Sequence, residues 1–193
     1  MHVELPAWVA QQVAVGQRIE NDAERLAMAI ELSRLQSVHG SGGPFGALVC
    51  DDATGEVIGV GVNLVESTGL SSAHAEWVAW SMAQSHMGQY DLGADSSRAM
   101  TLYSSAQPCV ACWGGLVWSG VTRLVYGATK DDVEALLGFD EGPLPHDWRA
   151  RLESRGIAVA GPLQRKQAVQ ALEFYKQSGG LIYSPRQGCH ETE

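Results

Sequence analysis

The segment from residue 130 to residue 156, KDDVEALLGFDEGPLPHDWRARLESRG, restricts the possible folds more than any other part of the sequence. It separates two short apolar runs, VTRLVYGA (121–128) and IAVAG (157–161), which both have the length of a β-strand. A connection this long that contains a helical pattern cannot be a hairpin, so the two strands are expected to be parallel. Parallel strands need helices over the sheet faces, and we therefore expect an α/β protein.

The rest of the chain completes this plan. Further strands are predicted over 45–51, 56–63 and 99–105, and helices over 18–38, 72–87, 108–120 and 163–178, with Pro108 suited to the first position of its helix. The first two strands flank the turn DATG and are expected to form a hairpin. No repeat or linker divides the chain, so residues 1–193 are expected to form a single domain. Its fold should be a three-layer α/β/α arrangement on a five-stranded mixed sheet, with strand five parallel to strand four.

Charge and hydropathy argue against several classes of function. The formal net charge is −9 and no run of Lys or Arg occurs, which disfavours a nucleic-acid partner. No segment has the roughly 18 continuous apolar residues that a membrane span needs. The first residues, MHVELPAWVAQQVAVGQ, lack the basic region of a secretory signal. We therefore expect a cytoplasmic protein with reduced cysteines, in which a Cys-x-x-Cys pair binds a metal or serves redox chemistry.

Two short motifs carry the chemistry. His74 and Glu76 lie in AHAEW at the start of one predicted helix, and Cys109 and Cys112 lie in PCVAC at the start of another. Residues three apart share a helix face, so both sulfurs can reach one ion. A helix N-terminus also favours the thiolate form that a metal requires. One imidazole nitrogen and two thiolates form a ligand set typical of zinc.

Each half of this pattern has other interpretations. A Cys-x-x-Cys pair alone also fits a thioredoxin-like redox site or plain packing, and a single histidine near a helix start is usually not a ligand. The combination of H-x-E with a later P-C-x-x-C, however, is typical of zinc deaminases. Three ligands leave a position for water, as in catalytic sites. Cys189 and His190 could in principle add a fourth ligand, but we expect them to be surface residues.

Glu76 has a separate role in this interpretation. It lies beside the metal ligands without being one, so its carboxyl group can take a proton from water and pass it to a ring nitrogen and to the leaving amine. The expected reaction is the hydrolytic deamination of an amidine-like carbon in an aromatic ring.

The chain resembles the cytidine deaminase superfamily, and within it the guanine deaminase branch. The resemblance extends from GGPFGALV (42–49) to GFDEGP (138–143), and SSAHAE, PCVAC, WSGV and DDVEALLGFDEGP support that branch. It implies a zinc cofactor and a small-molecule substrate, guanine, which would be converted to xanthine and ammonia. Ammeline-type triazines are implied as side substrates.

The resemblance also implies roles for individual residues. His74, Cys109 and Cys112 match the zinc ligands, and Glu76 matches the proton shuttle. Three further positions match substrate contacts: Asn63 for the polar edge of the base, Phe45 for its plane, and the backbone N–H of Ala75 for a carbonyl oxygen.

Two regions near the end of the chain have implied roles as well. In GFDEGP, Glu141 matches an acid that binds the exocyclic amine edge and helps to protonate the leaving group, with Asp140 as the alternative. An ordinary acidic loop is the competing interpretation. Members of this branch form homodimers with exchanged C-terminal tails, so residues 179–193 would be a lid over the active site. Tyr183 would be the lid residue, although a core-packing role is also open.

The sequence departs from the family pattern at two places. Gln107 precedes Pro108 where the family usually has Glu, so a hydrogen-bonding shape is kept without the charge. Trp77 is bulkier than the usual aliphatic residue, and with Trp80 it either narrows the pocket or packs in the core. We expect the core for both, and also for Cys50 in its apolar strand.

Other functions remain open. A nucleoside deaminase acting on guanosine or cytidine would keep the same chemistry, and so would a tRNA-adenosine deaminase. The acidic charge balance argues against tRNA, and the long connection before strand five argues against a cytidine-specific enzyme. A zinc-stabilised binding module without turnover would have no need of Glu76.

Overall fold

The computed structural model describes residues 4–184, and the expected three-layer fold is confirmed. The five strands are β1 (Gly46–Asp51), β2 (Val57–Val62), β3 (Met100–Ala106), β4 (Arg123–Ala128) and β5 (Ala158–Ala160). The helices are α1 (Val9–Gln12), α2 (Asp22–His39), α3 (Val65–Thr68), α4 (Ala75–Met87), α5 (Val110–Ser119), α6 (Lys130–Leu137), α7 (Trp148–Glu153) and α8 (Arg165–Gln177). Within the described residues, no helix has the length and hydropathy needed to cross a membrane.

The strand directions determine which ends of the strands lie together. The sheet order is β2-β1-β3-β4-β5, with β1 antiparallel to both β2 and β3. The pairs β3–β4 and β4–β5 are parallel, and the long connection had predicted the second of them. The carboxyl ends of β2, β3 and β4 therefore share one edge of the sheet, and α4 and α5 begin near that edge.

The core has one half on each side of the sheet. On one face, α2 and α8 bury apolar residues such as Leu26, Leu32 and Leu172 against the strands. On the other face, α4 and α5 contribute Trp80 and Leu116. Strands β1, β2 and β3 are buried along their whole length, as expected for a sheet covered on both faces.

Two glycines of β2 bring α4 unusually close to the sheet. A Cβ atom at Gly59 would lie 2.2 Å from the carbonyl oxygen of Ala79, and one at Gly61 would lie 2.0 Å from that of Ala75. No real side chain tolerates such distances, so only glycine permits this approach. The first turn of α4 therefore lies in direct contact with the sheet, beside the end of β2.

The four predicted helices begin two to four residues later than expected, at Asp22, Ala75, Val110 and Arg165. The predicted helix 18–38 begins at Asp22, because the Ile19 N–H donates to the carbonyl of Gly55 at 2.9 Å and keeps the preceding chain extended. The prediction of Pro108 as a first helical residue is wrong, since α5 begins at Val110. The N–H of Gln107 donates to the carbonyl of Ala128 at 2.8 Å, which prolongs the β3–β4 pairing and delays the helix.

A buried polar cluster ties α2 to the sheet. The Tyr103 hydroxyl donates to Asp22 Oδ1 at 2.6 Å and accepts from Arg25 Nη1 at 3.1 Å. Arg25 also donates to the carbonyls of Ile19 and Glu20, and Arg123 pairs with Asp22. Because Tyr103 and Arg25 are buried, these hydrogen bonds satisfy polar groups that water cannot reach.

The Tyr103→Phe variant tests the energetic weight of this cluster. Removing the hydroxyl leaves a buried guanidinium N–H without a partner, so the free energy of unfolding should fall by about 1–3 kcal/mol. Urea-induced unfolding followed by circular dichroism measures this loss. Tyr90→Phe is the control, because Tyr90 is exposed, and an equal effect of both substitutions would contradict the assignment.

Candidate active site

The two predicted motifs meet at the shared edge of the sheet. His74 is the N-cap residue of α4, and Cys109 is the N-cap residue of α5. The Nδ1 atom of His74 lies 3.6 Å from the Sγ of Cys109 and 3.5 Å from the Sγ of Cys112. Their possible ligand atoms all lie within 4.8 Å of one another. One imidazole nitrogen and two sulfurs at these distances fit a single zinc ion.

Of the three groups, Cys109 has the electrostatic surroundings that favour the form that binds a cation. The hydrogen bond from the Cys112 thiol, together with those from His74 and the Cys112 backbone, lowers the pKa of Cys109 to about 4. Although burial acts in the opposite direction, the hydrogen bond and charge of Cys109 raise the pKa of His74 to about 9. Burial raises the pKa of the Cys112 thiol. Cys109 is therefore a thiolate at neutral pH, which is the form that binds metals.

Glu76 lies in the same pocket but outside this ligand group. It is the second residue of α4, only 6% exposed, and burial raises the pKa of its carboxyl group. The Ser104 hydroxyl lies 3.5 Å from its Oε1 atom. A buried carboxyl group beside the metal ligands has the position that a proton carrier needs.

A cavity of about 370 Å³ opens above these groups. Its walls combine acids, amides and aromatic rings from several elements, namely Phe45, Asn63, Val65, Ser71, His74, Glu76, Gln107, Cys109, Phe139, Asp140, Glu141, Tyr183 and Ser184. Of the predicted substrate contacts, Asn63, Phe45 and Tyr183 therefore line the cavity. Ala75 lies between the wall residues His74 and Glu76 and is fully buried, so the role of its N–H stays a prediction.

Aromatic rings form one side of the cavity. Phe139 lies between Phe45, at 5.7 Å between ring centroids, and Tyr183, at 5.0 Å, in edge-to-face arrangements. The Tyr183 hydroxyl is buried, and the Asn63 side chain lies beside it in the wall. A Cβ atom at Gly43 would lie 2.4 Å from this hydroxyl, so glycine at that position makes room for Tyr183. The described part of the tail, up to residue 184, thus covers the cavity of its own chain.

The two acids of GFDEGP differ in their surroundings. Glu141 is 8% exposed, and burial raises the pKa of its carboxyl group to about 8. Its backbone carbonyl accepts a hydrogen bond from Val110 N at 3.0 Å, which attaches this segment to the start of α5. Asp140 is exposed and its Oδ1 accepts from the N–H of Gly142. The geometry therefore favours Glu141 over Asp140 as the chemically active acid.

Several wall residues were not assigned a role from the sequence. Ser71 and Phe139 lie within the motifs SSAHAE and GFDEGP, and Ser184 lies in the predicted lid. Only Val65 had no signal. Gln107 was noticed as a departure from the family, and its Oε1 accepts a hydrogen bond from Lys130 N at 3.2 Å.

Other sequence predictions concern the surroundings of the site. Trp77 and Trp80 pack against Gly115 of α5. Trp80 and Cys50 are buried, which confirms their expected core positions, whereas Trp77 is only partly buried against the same core. Cys189 and His190 lie outside the described residues, as does the tail from residue 185 onward.

Comparisons with known proteins agree with this geometry. The family described as "Cytidine and deoxycytidylate deaminase zinc-binding region" matches residues 19–128. The guanine deaminase of Bacillus subtilis (strain 168) is 36% identical over 118 residues, which cover 61% of this chain and 70% of the relative.

Solved structures extend the likeness to most of the chain. A structure of guanine deaminase from Nitrosomonas europaea is 40% identical with a TM-score of 0.86, covering 92% of this chain and 96% of that one. A structure in complex with 2,6-diaminopurine is 41% identical with a TM-score of 0.87, covering 96% and 97%.

The ligand assignment is testable by metal analysis. The Cys112→Ala variant should lose bound zinc, because two ligands cannot hold the ion as firmly as three, and the zinc content measured by mass spectrometry should fall from one ion per chain to near zero. Cys50→Ala is the matched control, since Cys50 is buried elsewhere and should leave zinc unchanged. Full zinc content in the Cys112→Ala protein would refute the assignment.

Proposed function

Since this chain belongs to the cytidine and deoxycytidylate deaminase family, we propose that it is a zinc-dependent hydrolase that removes the amino group of a free purine base. Guanine is the proposed substrate, and xanthine and ammonia are the products. The observation that carries this proposal is the meeting of Glu76, Glu141 and Asn63 around the His/Cys/Cys group in one cavity. The similarity to guanine deaminases and to a complex with 2,6-diaminopurine supports it.

The roles of the polar groups follow from their positions. His74, Cys109 and Cys112 would hold zinc, which when bound acts as a Lewis acid and allows water to lose a proton near neutral pH. The Glu76 carboxylate accepts that proton and delivers it to a ring nitrogen of the base. Burial keeps Glu141 protonated at neutral pH, so its carboxyl group can donate a proton to the leaving amine and regain one from the new hydroxyl group as the carbonyl forms.

The remaining wall residues hold the base. Phe45 and Phe139 provide apolar surface for a planar ring, and Asn63 provides a polar group for its edge. The N–H of Ala75, at the start of α4, would meet a carbonyl oxygen. Water is kept out by Tyr183, which forms part of the wall.

The surroundings of the cavity favour a free base over larger substrates. Tyr183 lines the cavity and would restrict the room for a ribose or a polynucleotide, so a nucleoside or a tRNA anticodon would fit less well. The charge of −9 further disfavours tRNA, although tRNA-specific adenosine deaminases occur among the relatives. Triazines such as ammeline share the planar amidine chemistry of guanine and are proposed as side substrates.

A homodimer with a cytoplasmic location completes the proposal. Helix α5 has no charged residue; its Trp118 is 82% exposed, and its Trp113 and Val117 are half-buried. An apolar helix surface of this kind fits a second copy of the chain. Exchange of the C-terminal tails between the two copies would add contacts at the same cavities.

Ammonia release from guanine, guanosine, cytidine, adenine and ammeline tests the proposal directly. Guanine should exceed guanosine by at least about tenfold in kcat/KM, which corresponds to about 1.4 kcal/mol. A preference for guanosine would replace the free-base proposal with a nucleoside deaminase. Zinc-loaded protein that is silent on guanine would refute the proposed substrate.

The Glu76→Gln variant tests the proton carrier. A neutral amide cannot accept the proton, so kcat for guanine should fall roughly 100- to 10,000-fold. Zinc content should stay at the wild-type value, because Glu76 is not a ligand. Retained turnover at full zinc content would exclude Glu76 as the proton carrier and would therefore contradict the proposed mechanism.

A pair of variants distinguishes the two acids of GFDEGP. Glu141→Gln should lower kcat by about 100-fold, because the buried proton donor is lost. Asp140→Asn should change kcat by less than about threefold, because Asp140 is an exposed wall residue whose Oδ1 already accepts from the N–H of Gly142. Initial rates with saturating guanine measure both, and the reverse order of effects would assign the role to Asp140.

A charged substitution on α5 tests the proposed dimer surface. Trp118→Glu should weaken self-association at least about 30-fold, because a carboxylate would be buried in an apolar contact. Phe174→Glu is the control, since Phe174 is 39% exposed on α8 at the opposite face of the sheet. Sedimentation equilibrium measures the dissociation constant, and a wild-type protein that is monomeric at micromolar concentration would disprove the dimer.

A further inference from the structure

Gln36 is a fully buried amide outside the cavity wall. It lies in the last turn of α2 and is 0% exposed. Its Nε2 donates to the backbone carbonyl of Asn63 at 2.5 Å, and its Oε1 accepts from the Ser41 hydroxyl at 2.8 Å. A backbone carbonyl can only accept, so the amide has one possible orientation. A polar side chain in such a place is stable only while both hydrogen bonds exist.

The contact partner of Gln36 is the residue that faces the substrate. Asn63 is held on three sides: its N–H donates to the carbonyl of Phe45 at 3.1 Å, its carbonyl accepts from Gln36, and its Oδ1 accepts from Val65 N at 3.2 Å. Because the Val65 N–H must meet an oxygen, the orientation of the Asn63 amide is fixed as well. Its NH₂ group remains for the cavity, on the side where the Tyr183 hydroxyl lies.

The loop after α2 reinforces this arrangement. A Cβ atom at Gly42 would lie 2.2 Å from the Asn63 carbonyl oxygen and 2.7 Å from Gln36 Nε2. The loop backbone therefore packs directly over the hydrogen bond between these two residues. Asn63 cannot shift by a few tenths of an ångström without disturbing either the loop or Gln36.

From these contacts we infer that Gln36 is a positioning residue for substrate selection: through the Asn63 backbone it aims the Asn63 NH₂ group at a hydrogen-bond acceptor on the ring edge. This inference rests on the proposed function. It requires a base with a carbonyl oxygen at that edge, as guanine has. A base without that oxygen, such as 2-aminopurine, leaves the Asn63 NH₂ group without an acceptor. Its kcat/KM should therefore be lower than that of guanine.

The Gln36→Met variant tests the inference, because methionine keeps the length of the side chain and removes both hydrogen bonds. The ratio of kcat/KM for guanine to that for 2-aminopurine should fall at least about fivefold from its wild-type value, which should exceed about ten. Most of the loss for guanine should lie in KM. The matched control is Ser37→Ala on the neighbouring position of α2, which should leave the ratio unchanged.

Two results would overturn the inference. One is a wild-type ratio near one, and the other is a Gln36→Met protein whose ratio is unchanged at full zinc content. A purely structural role would lower kcat/KM for both bases equally, which is the second of these results.

If Gln36→Met fails to fold, Ser41→Ala takes its place. It removes the hydrogen bond to Gln36 Oε1 without touching Asn63 and should shift the ratio in the same direction. An unchanged ratio in that variant overturns the inference too.

Amide hydrogen exchange separates this inference from the proposed function. The Val65 N–H donates to Asn63 Oδ1, so its exchange should accelerate at least about tenfold in Gln36→Met. The Val78 N–H, bonded to the His74 carbonyl in α4, should exchange as in the wild type. Unchanged Val65 exchange refutes the positioning by Gln36 whatever the enzyme turns over. Accelerated exchange in a protein silent on guanine would refute the proposed substrate alone.

Discussion

The placement of β1 between β2 and β3, antiparallel to both, determines where chemistry can occur in this protein. It makes β2 and β3 run in the same direction although they are not neighbours, so both end at one edge of the sheet. The helices that follow, α4 and α5, then present their N-termini to each other. His74 and Cys109 are the N-cap residues of these helices, and the strand directions bring them to the same edge.

Much of this could be predicted from local sequence. The parallel β4–β5 pair followed from the length and helical pattern of residues 130–156. The group His74, Cys109 and Cys112 followed from motif spacing, because residues within one helical turn have nearly fixed relative positions. The helix starts at Asp22 and Val110 could not be predicted, since backbone hydrogen bonds to Gly55 and Ala128 keep the preceding residues extended. Helix propensities and hydrophobic periodicity carry no information about such long-range hydrogen bonds.

The cavity walls were less predictable for a related reason. Glu141 and Asp140 are adjacent in sequence, and only packing against α5 distinguishes the buried acid from the exposed one. Gln36 is an ordinary residue in the sequence of α2, and its importance comes from a contact with Asn63, which lies on another element. The same holds for Gln107, whose Oε1 is taken by the first N–H of α6. Both wall amides, Asn63 and Gln107, are oriented by backbone groups of segments outside the two motifs.

The glycines of β2 have a consequence for protein engineering. Ala79 and Ala75 occupy the space that side chains at residues 59 and 61 would need. Helix α4 can lie this close to the sheet only because both positions carry a hydrogen atom and not a methyl group. A designer who transplanted the H-x-E and P-C-x-x-C motifs onto a sheet with alanine at these two positions would lift α4 and separate the imidazole from the sulfurs. The unit that can be transferred is therefore the pair of motifs together with a strand that has glycine at both positions. A search for such sites in other scaffolds should require these two glycines.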